Sequence, residues 1–257
     1  MSIDFHSTQN RNTYRGRQAD SGWTDAIRRI VDPTGKRVAD IGCGGGIYSL
    51  AWREAGAGDV MGVDFSEQMV GAAREQVAGL SGISFRQGDA TATGLPSAGA
   101  DIVFQRALIH HLKGYEPCFA EARRMLVPGG RLIVQDRTPA DVQLPGSAEH
   151  IRGYFFECFP RLLAVEVARR PTDSSVRVAL QATGFRDIES VGLWEVRKTH
   201  ESREQLAKDL AARTGRSILH DLSDSELADL IAYIVARVPA DGPIVEKDRW
   251  TLWSATA

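Results

Sequence analysis

The sequence predicts a doubly wound α/β fold, and three observations carry that expectation. Between Arg37 and Asp136, short apolar runs alternate with longer amphipathic stretches. Strand–helix–strand alternation implies parallel strands joined by right-handed crossovers. The apolar runs do not alternate with polar residues, as expected of strands covered on both faces. A glycine-rich segment, Gly42-Cys43-Gly44-Gly45-Gly46, lies directly after the first run. In that position glycines allow a tight turn and bring backbone N–H groups close to a ligand. At 257 residues, the chain is long enough for one large domain or one domain with an elaborated cap.

The elements follow in order. Strands are expected over Arg37–Ile41, Val60–Asp64, Ile83–Arg86, Asp101–Phe104 and Arg131–Gln135. Helices are expected over Ile47–Ala55, Ser66–Leu80 and Tyr115–Leu126, with Ser66, Glu67 and Met69 reading as a helix start. Val127-Pro128-Gly129-Gly130 reads as the stop that ends the third helix and turns the chain. Beyond Asp136 the pattern changes. Four prolines (Pro139, Pro145, Pro160, Pro171) surround an aromatic stretch of Tyr154, Phe155, Phe156 and Phe159. A helix over Ser174–Thr183, stopped by Gly184, then leads into a long strand over Phe185–Lys198. Glu201–Arg213 and Ser223–Val238 read as two helices, the second capped by Asp221 or Ser223, and Trp250–Ala255 reads as a closing strand. No internal repeat or low-complexity tract is present.

Composition narrows the class. Hydrophobic residues at 43% and charged residues at 25% exclude a disordered chain. Lys+Arg 31 against Asp+Glu 33 gives −2, which argues against a general binder of nucleic-acid phosphates. The basic stretch from Arg11 to Arg37 reads as a solvated helix face. No run of about 18 apolar residues occurs, so no membrane span is expected. The first residues lack a secretory pattern, and Cys43, Cys118 and Cys158 include no CxxC pair. The expectation is a soluble, cytoplasmic protein without disulfides or a cysteine metal site.

The glycine segment decides between nucleotide classes. The dinucleotide fingerprint needs G-x-G-x-x-G. Counting from Gly42 the sixth position is Ile47, and counting from Gly44 it is Ser49, so the nicotinamide reading fails on spacing. Asp40-Ile41-Gly42-Cys43-Gly44-Gly45-Gly46 instead has the form D-x-G-x-G-x-G. Val63-Asp64-Phe65-Ser66 closes the second strand with an acid. Gly88-Asp89-Ala90 follows the third strand, and Leu126-Val-Pro-Gly-Gly-Arg-Leu precedes the fifth. This set resembles the motifs of class I S-adenosylmethionine (SAM)-dependent methyltransferases, firmly from Arg37 to Arg137 and loosely beyond.

The resemblance implies a seven-stranded, mostly parallel sheet whose last strand is antiparallel, with ligands at the carboxyl ends of the strands. It also implies helical cap insertions, at about 138–172 and 199–240, into a SAM-binding domain of residues 37–257. Residues 1–36 would form a helical segment covering the cofactor. SAM has no phosphate, so backbone donors and placed carboxylates suffice to hold it. By resemblance, Asp40 supports the loop and the ammonium end of SAM, while Gly42, Gly44 and Gly46 shape the loop beneath the methionine portion. Asp64 accepts from both ribose hydroxyls, as an ionised carboxylate can. Phe65 and Met69 flank the adenine. Asp89 accepts from the adenine amino group, and Ala90 offers its N–H. Gln105 lines the pocket near the methionine portion, and Tyr14 closes over the cofactor.

His110 and His111, in Ala107-Leu-Ile-His-His-Leu112, follow the fourth strand and are the candidate catalytic residues. A histidine there can take a proton from an acceptor hydroxyl or amine. The competing reading pairs His111 with a backbone group and packs His110 under the loop. Asp101-Ile-Val-Phe-Gln105 lacks the Pro-Pro-aromatic motif of amino-methylating nucleic-acid enzymes. Pro117-Cys118 lies beyond the strand end, so Cys118 reads as a buried structural thiol. The aromatic stretch at 154–159 fits either an apolar acceptor pocket or helix packing. The expected function is methyl transfer from SAM to a small-molecule O, N, C or S atom, releasing S-adenosylhomocysteine (SAH). No metal, nucleic acid or membrane takes part, and the chain is a monomer or homodimer. The alternatives are an RNA or protein methyltransferase, a nicotinamide oxidoreductase, or a non-catalytic SAM-binding protein.

Overall fold

The computed structural model describes residues 19–257, which divide into two compact units. Among the described residues, one comprises 19–136, Pro171–Leu193 and Thr251–Ala257, and the other Arg137–Arg170 and Trp194–Trp250.

The first unit carries strands β1 (Arg37–Ile41), β2 (Asp59–Asp64), β3 (Ile83–Gln87), β4 (Ala100–Arg106) and β5 (Leu126–Asp136). Its helices are α1 (Ser21–Ile30), α2 (Ile47–Glu54), α3 (Glu67–Gln76), α4 (Glu116–Met125) and α8 (Asp173–Ala182). Strands β6 (Arg186–His200) and β7 (Ile244–Thr256) run through both units. The seven strands are ordered β3-β2-β1-β4-β5-β7-β6, with β1 to β5 parallel and β7 antiparallel to β5. This is the class I methyltransferase arrangement, with the reversal at β1/β4 that opens a ligand crevice at the strand carboxyl ends.

Pleat alternation sends neighbouring β4 side chains to opposite faces. Phe104 joins an aromatic cluster with Trp23 of α1 and Trp52 of α2, at centroid distances of 5.6 Å to each. On the other side Ile41, Val103, Phe119, Leu132, Leu180 and Trp253 form a continuous buried core. Ser66 caps α3, its Oγ accepting from the Met69 N–H. That helix stops at Gln76, short of the expected Leu80. Val127–Gly130 does not simply end a helix. The chain enters β5 already at Leu126, and the register against β4 slips between Ala100 and Ile102, so these residues form an irregular start to the strand.

The second unit holds α5 (Pro139–Val142), α6 (Ile151–Cys158), α7 (Pro160–Ala168), α9 (Arg203–Ala211) and α10 (Asp224–Val235). The two insertions read separately from the sequence share one core here. Ile151, Phe155 and Leu162 are buried with Leu206, Leu210 and Ile234. The aromatic stretch is therefore helix packing, with Phe155 fully buried. Ser223 is the cap of α10, in a capping box with Glu226. Strand β7 begins six residues before the expected Trp250, at Ile244. Among the described residues no helix is long and apolar enough to cross a membrane.

Candidate functional site

The glycine loop is shaped by backbone geometry. Gly42, Gly44 and Gly46 have φ of 76°, 51° and 83°, the left-handed region that costs other residues strain. Gly46 is also sterically fixed, since a Cβ there would lie 2.8 Å from the Phe85 ring. The loop is tied to β2: the N–H groups of Gly42 and Cys43 donate to the Val63 carbonyl at 2.7 and 3.1 Å.

Asp64 ends β2, with its carboxylate held from two sides. Oδ2 accepts from the Gly44 N–H at 2.8 Å and Oδ1 from the Ser66 N–H at 3.0 Å. A carboxylate oxygen can accept more than one hydrogen bond. Next to Asp64, Phe65 is 48% exposed. Asp40 is buried, and its Oδ2 accepts from Ser49 Oγ at 2.5 Å. Burial pushes its carboxyl up to about 7, opposed by the Ser49 hydrogen bond and reinforced by Asp64 nearby. Asp89 is exposed and forms a turn in which Oδ1 accepts from the Thr91 N–H and hydroxyl at 2.7 and 2.6 Å. Those hydrogen bonds hold its carboxyl below the usual range. Ala90 beside it is half-buried.

Two of the expected cofactor-binding residues are buried. Gln105 is 1% exposed and its amide donates to Cys118 Sγ on α4 at 3.2 Å. Phe104 takes the α1/α2 face, so alternation turns Gln105 to the α4 face. Met69 is 2% exposed, and its Cε lies 3.4 Å from where a Cβ on Gly44 would be. It packs against the glycine loop. Tyr14 lies outside the described residues. The described helix of the N-terminal segment, α1, packs Trp23 and Ile27 into the core, with Trp23 Nε1 donating to Gln135 at 3.0 Å.

The two histidines sit in and beside a short 3-10 turn, Ile109–His111. His110 Nδ1 lies 2.9 and 3.0 Å from the two carboxylate oxygens of Asp136, and its backbone N–H donates to the same group at 3.3 Å. Asp136 is fully buried at the end of β5. It went unnoticed in the sequence because only the strand pairing brings the ends of β4 and β5 together. His111 is exposed, its ring centroid 4.0 Å from that of His110.

The residues present fit a SAM molecule: backbone donors without a phosphate cradle, a carboxylate at the glycine loop, and a partly exposed aromatic side chain. Residues 39–134 match the family model described as a methyltransferase domain. The chain is 29% identical over 183 residues to a demethylmenaquinone methyltransferase of Deinococcus radiodurans, covering 65% of this chain and 75% of that one. It is 38% identical over 102 residues to a ubiquinone biosynthesis O-methyltransferase of Sinorhizobium fredii, covering 39% and 40%. Its fold resembles that of Haemonchus contortus phosphoethanolamine N-methyltransferase 2, solved with phosphomonomethylethanolamine and SAH. That match has a TM-score of 0.61 at 20% identity over 99% of this chain and 60% of that one. Fold, loop and family-model match together make the chain similar to class I, SAM-dependent methyltransferases. The first unit contains every residue matched by the family model.

Proposed function

We propose that the protein transfers a methyl group from SAM to a small-molecule acceptor. The observation that carries this is the Asp64 carboxylate, fixed by the Gly44 and Ser66 N–H groups at the mouth of the glycine loop. SAM supplies an electrophilic methyl on a sulfonium. Asp64 holds the ribose, Phe65 stacks on the adenine, and Asp89 with the Ala90 N–H reads the adenine edge. Gly42, Gly44 and Gly46 let the backbone approach the methionine portion, and Asp40 draws in the ammonium end. His110 is the proton acceptor, with His111 beside it on the acceptor side. Positioning supplies most of the rate in such a displacement. The small-molecule reading is supported by the quinone-precursor methyltransferases among the relatives. The near-neutral charge favours it over a nucleic-acid substrate. The same reading places the chain in the cytoplasm, as a monomer or homodimer.

The test is label transfer. Methyl-labelled SAM is incubated with the protein and fractionated small-molecule extract, and SAH release is followed. The reading expects label in a small molecule, with KM for SAM raised at least about tenfold in Asp64→Ala, the effect of removing a buried hydrogen-bonding partner. Label found only in RNA or protein would replace it.

A further inference from the structure

The two histidines after β4 are held differently. His111 is exposed, whereas the His110 side chain is 11% exposed and packed against a fully buried carboxylate. Both Asp136 oxygens lie within 3.0 Å of His110 Nδ1. An ionised carboxylate only accepts, so Nδ1 carries the proton and the Nε2 lone pair is presented on the far side of the ring. Among the described residues Nε2 has no hydrogen-bond partner. The backbone is set for this arrangement. Ala107 has a φ of 50°, unusual for a residue with a Cβ, and its N–H donates to the Gln135 carbonyl at 2.8 Å. That bond ties the turn bearing His110 to the strand bearing Asp136.

We infer that Asp136 is a positioning residue that holds His110 as a base, and that the methyl acceptor is a phenolic hydroxyl oxygen. The inference rests on the methyltransferase reading and goes past it to the accepting atom. A neutral hydroxyl is a poor nucleophile, and attack without loss of its proton leaves a strongly acidic oxonium. A base must therefore take the proton as the new bond forms. A free amine attacks through its own lone pair and ends as a stable ammonium. A thiol ionises unaided not far above neutral pH. A built-in base with a buried acid behind it is required by oxygen, whereas an amine needs one only to leave its ammonium form and a thiolate needs none. In the step, the O–H proton passes to His110 Nε2 and the oxygen pair forms the O–C bond. The methyl–sulfur bond breaks with its electrons kept by sulfur, which becomes a neutral thioether. His110, then an imidazolium against the Asp136 carboxylate, returns its proton to water.

Two measurements test this after SAM binding has been established by titration; failure at that stage would count against the methyltransferase reading itself. Nitrogen NMR of histidine-labelled protein without ligand should show His110 as the Nδ1–H tautomer, and Asp136→Asn should shift it towards Nε2–H. Turnover is then followed as SAH release with catechol, hydroquinone and 4-hydroxybenzoate, against aniline, benzylamine and thiophenol. The expected product is an O-methyl ether. His110→Gln and Asp136→Asn should each lower kcat at least about 100-fold with KM for SAM unchanged. Should Asp136→Asn not fold, His110→Gln, at the less buried position, carries the kinetic prediction alone. A tautomer indifferent to Asp136→Asn overturns the positioning role. Faster methylation of an amine, a thiol or a ring carbon, or no SAH release with any of the phenols, overturns the oxygen assignment.

Discussion

The two units bury their interiors by different means. In the unit of β1 to β5, the sheet core is hydrocarbon, with Ile41, Val103, Phe119 and Leu132 fully buried, and the buried acids Asp40, Asp64 and Asp136 lie at or beside strand ends. The helical unit has an apolar core too, but beside it lies a chain of buried charges. Arg137 donates to Asp248, and Arg152 reaches both Asp248 and Glu166. Arg169 and Arg170 also bind Glu166, which is fully buried. A second group joins Arg197, His200 and Arg216 to Glu246, with Arg216 continuing to Asp209. The arginine between Asp209 and Glu246 occupies the room a cation would need beside His200, so this cluster is an ion-pair network. A hydrocarbon interior tolerates local change by collapse, whereas a buried charge network tolerates the loss of a partner poorly.

Mutations can break or sharpen that contrast. The largest effect is expected from Glu166→Ala. The arginines around Glu166 hold its carboxyl down at about 2 against the opposing effect of burial, and removing it leaves cations facing one another. Denaturant unfolding should show a loss of about 3–5 kcal/mol, with SAM affinity changed less than about twofold. A loss below about 1 kcal/mol would show that the network adds little. Ile41→Ala in the sheet core should cost about 2–5 kcal/mol by cavity formation, and should also weaken SAM binding because the next residue begins the glycine loop.

A smaller, pH-dependent effect is expected at Asp40. Its folded carboxyl is raised to about 7, so its contribution to stability is fully present below the usual carboxylate range and is lost as pH rises through about 7. Thermal unfolding without SAM should therefore lose less stability between pH 5 and 8, roughly the range that spans this titration, in Asp40→Asn than in the wild type. A bound cation should reverse the preference, so SAM affinity should rise with pH through this window, by at most about tenfold per unit. The smallest effect is expected from Ser223→Ala, which removes the capping box of α10 and should cost about 1 kcal/mol, with no change in SAM binding.

The same contrast explains what the sequence could convey. The sheet unit was legible because its signals are local: apolar runs, a capping Ser66, and glycines at fixed spacing after β1. Asp64 and the glycine loop could be assigned to one site for that reason, and the structure joins them through the Gly44 N–H. The first half of β7 was missed because its inward positions carry Glu246 and Asp248. Their partners lie in other elements, so an apolar pattern cannot register them. The face that Gln105 takes was not legible, because its place at a strand end does not tell which way its side chain points. Asp136 escaped notice because its relation to His110 spans 26 residues and exists only through the pairing of β4 with β5.

The central claim is that the first unit binds SAM through a ribose-holding acid at the glycine loop. Calorimetric titration of the protein and of Asp64→Ala with SAM, SAH and NADH tests it most directly. The account predicts micromolar binding of SAM and SAH, none of NADH, and a loss of at least about 1–3 kcal/mol in the variant. Binding of NADH in place of SAM, or SAM affinity untouched by Asp64→Ala, would contradict it.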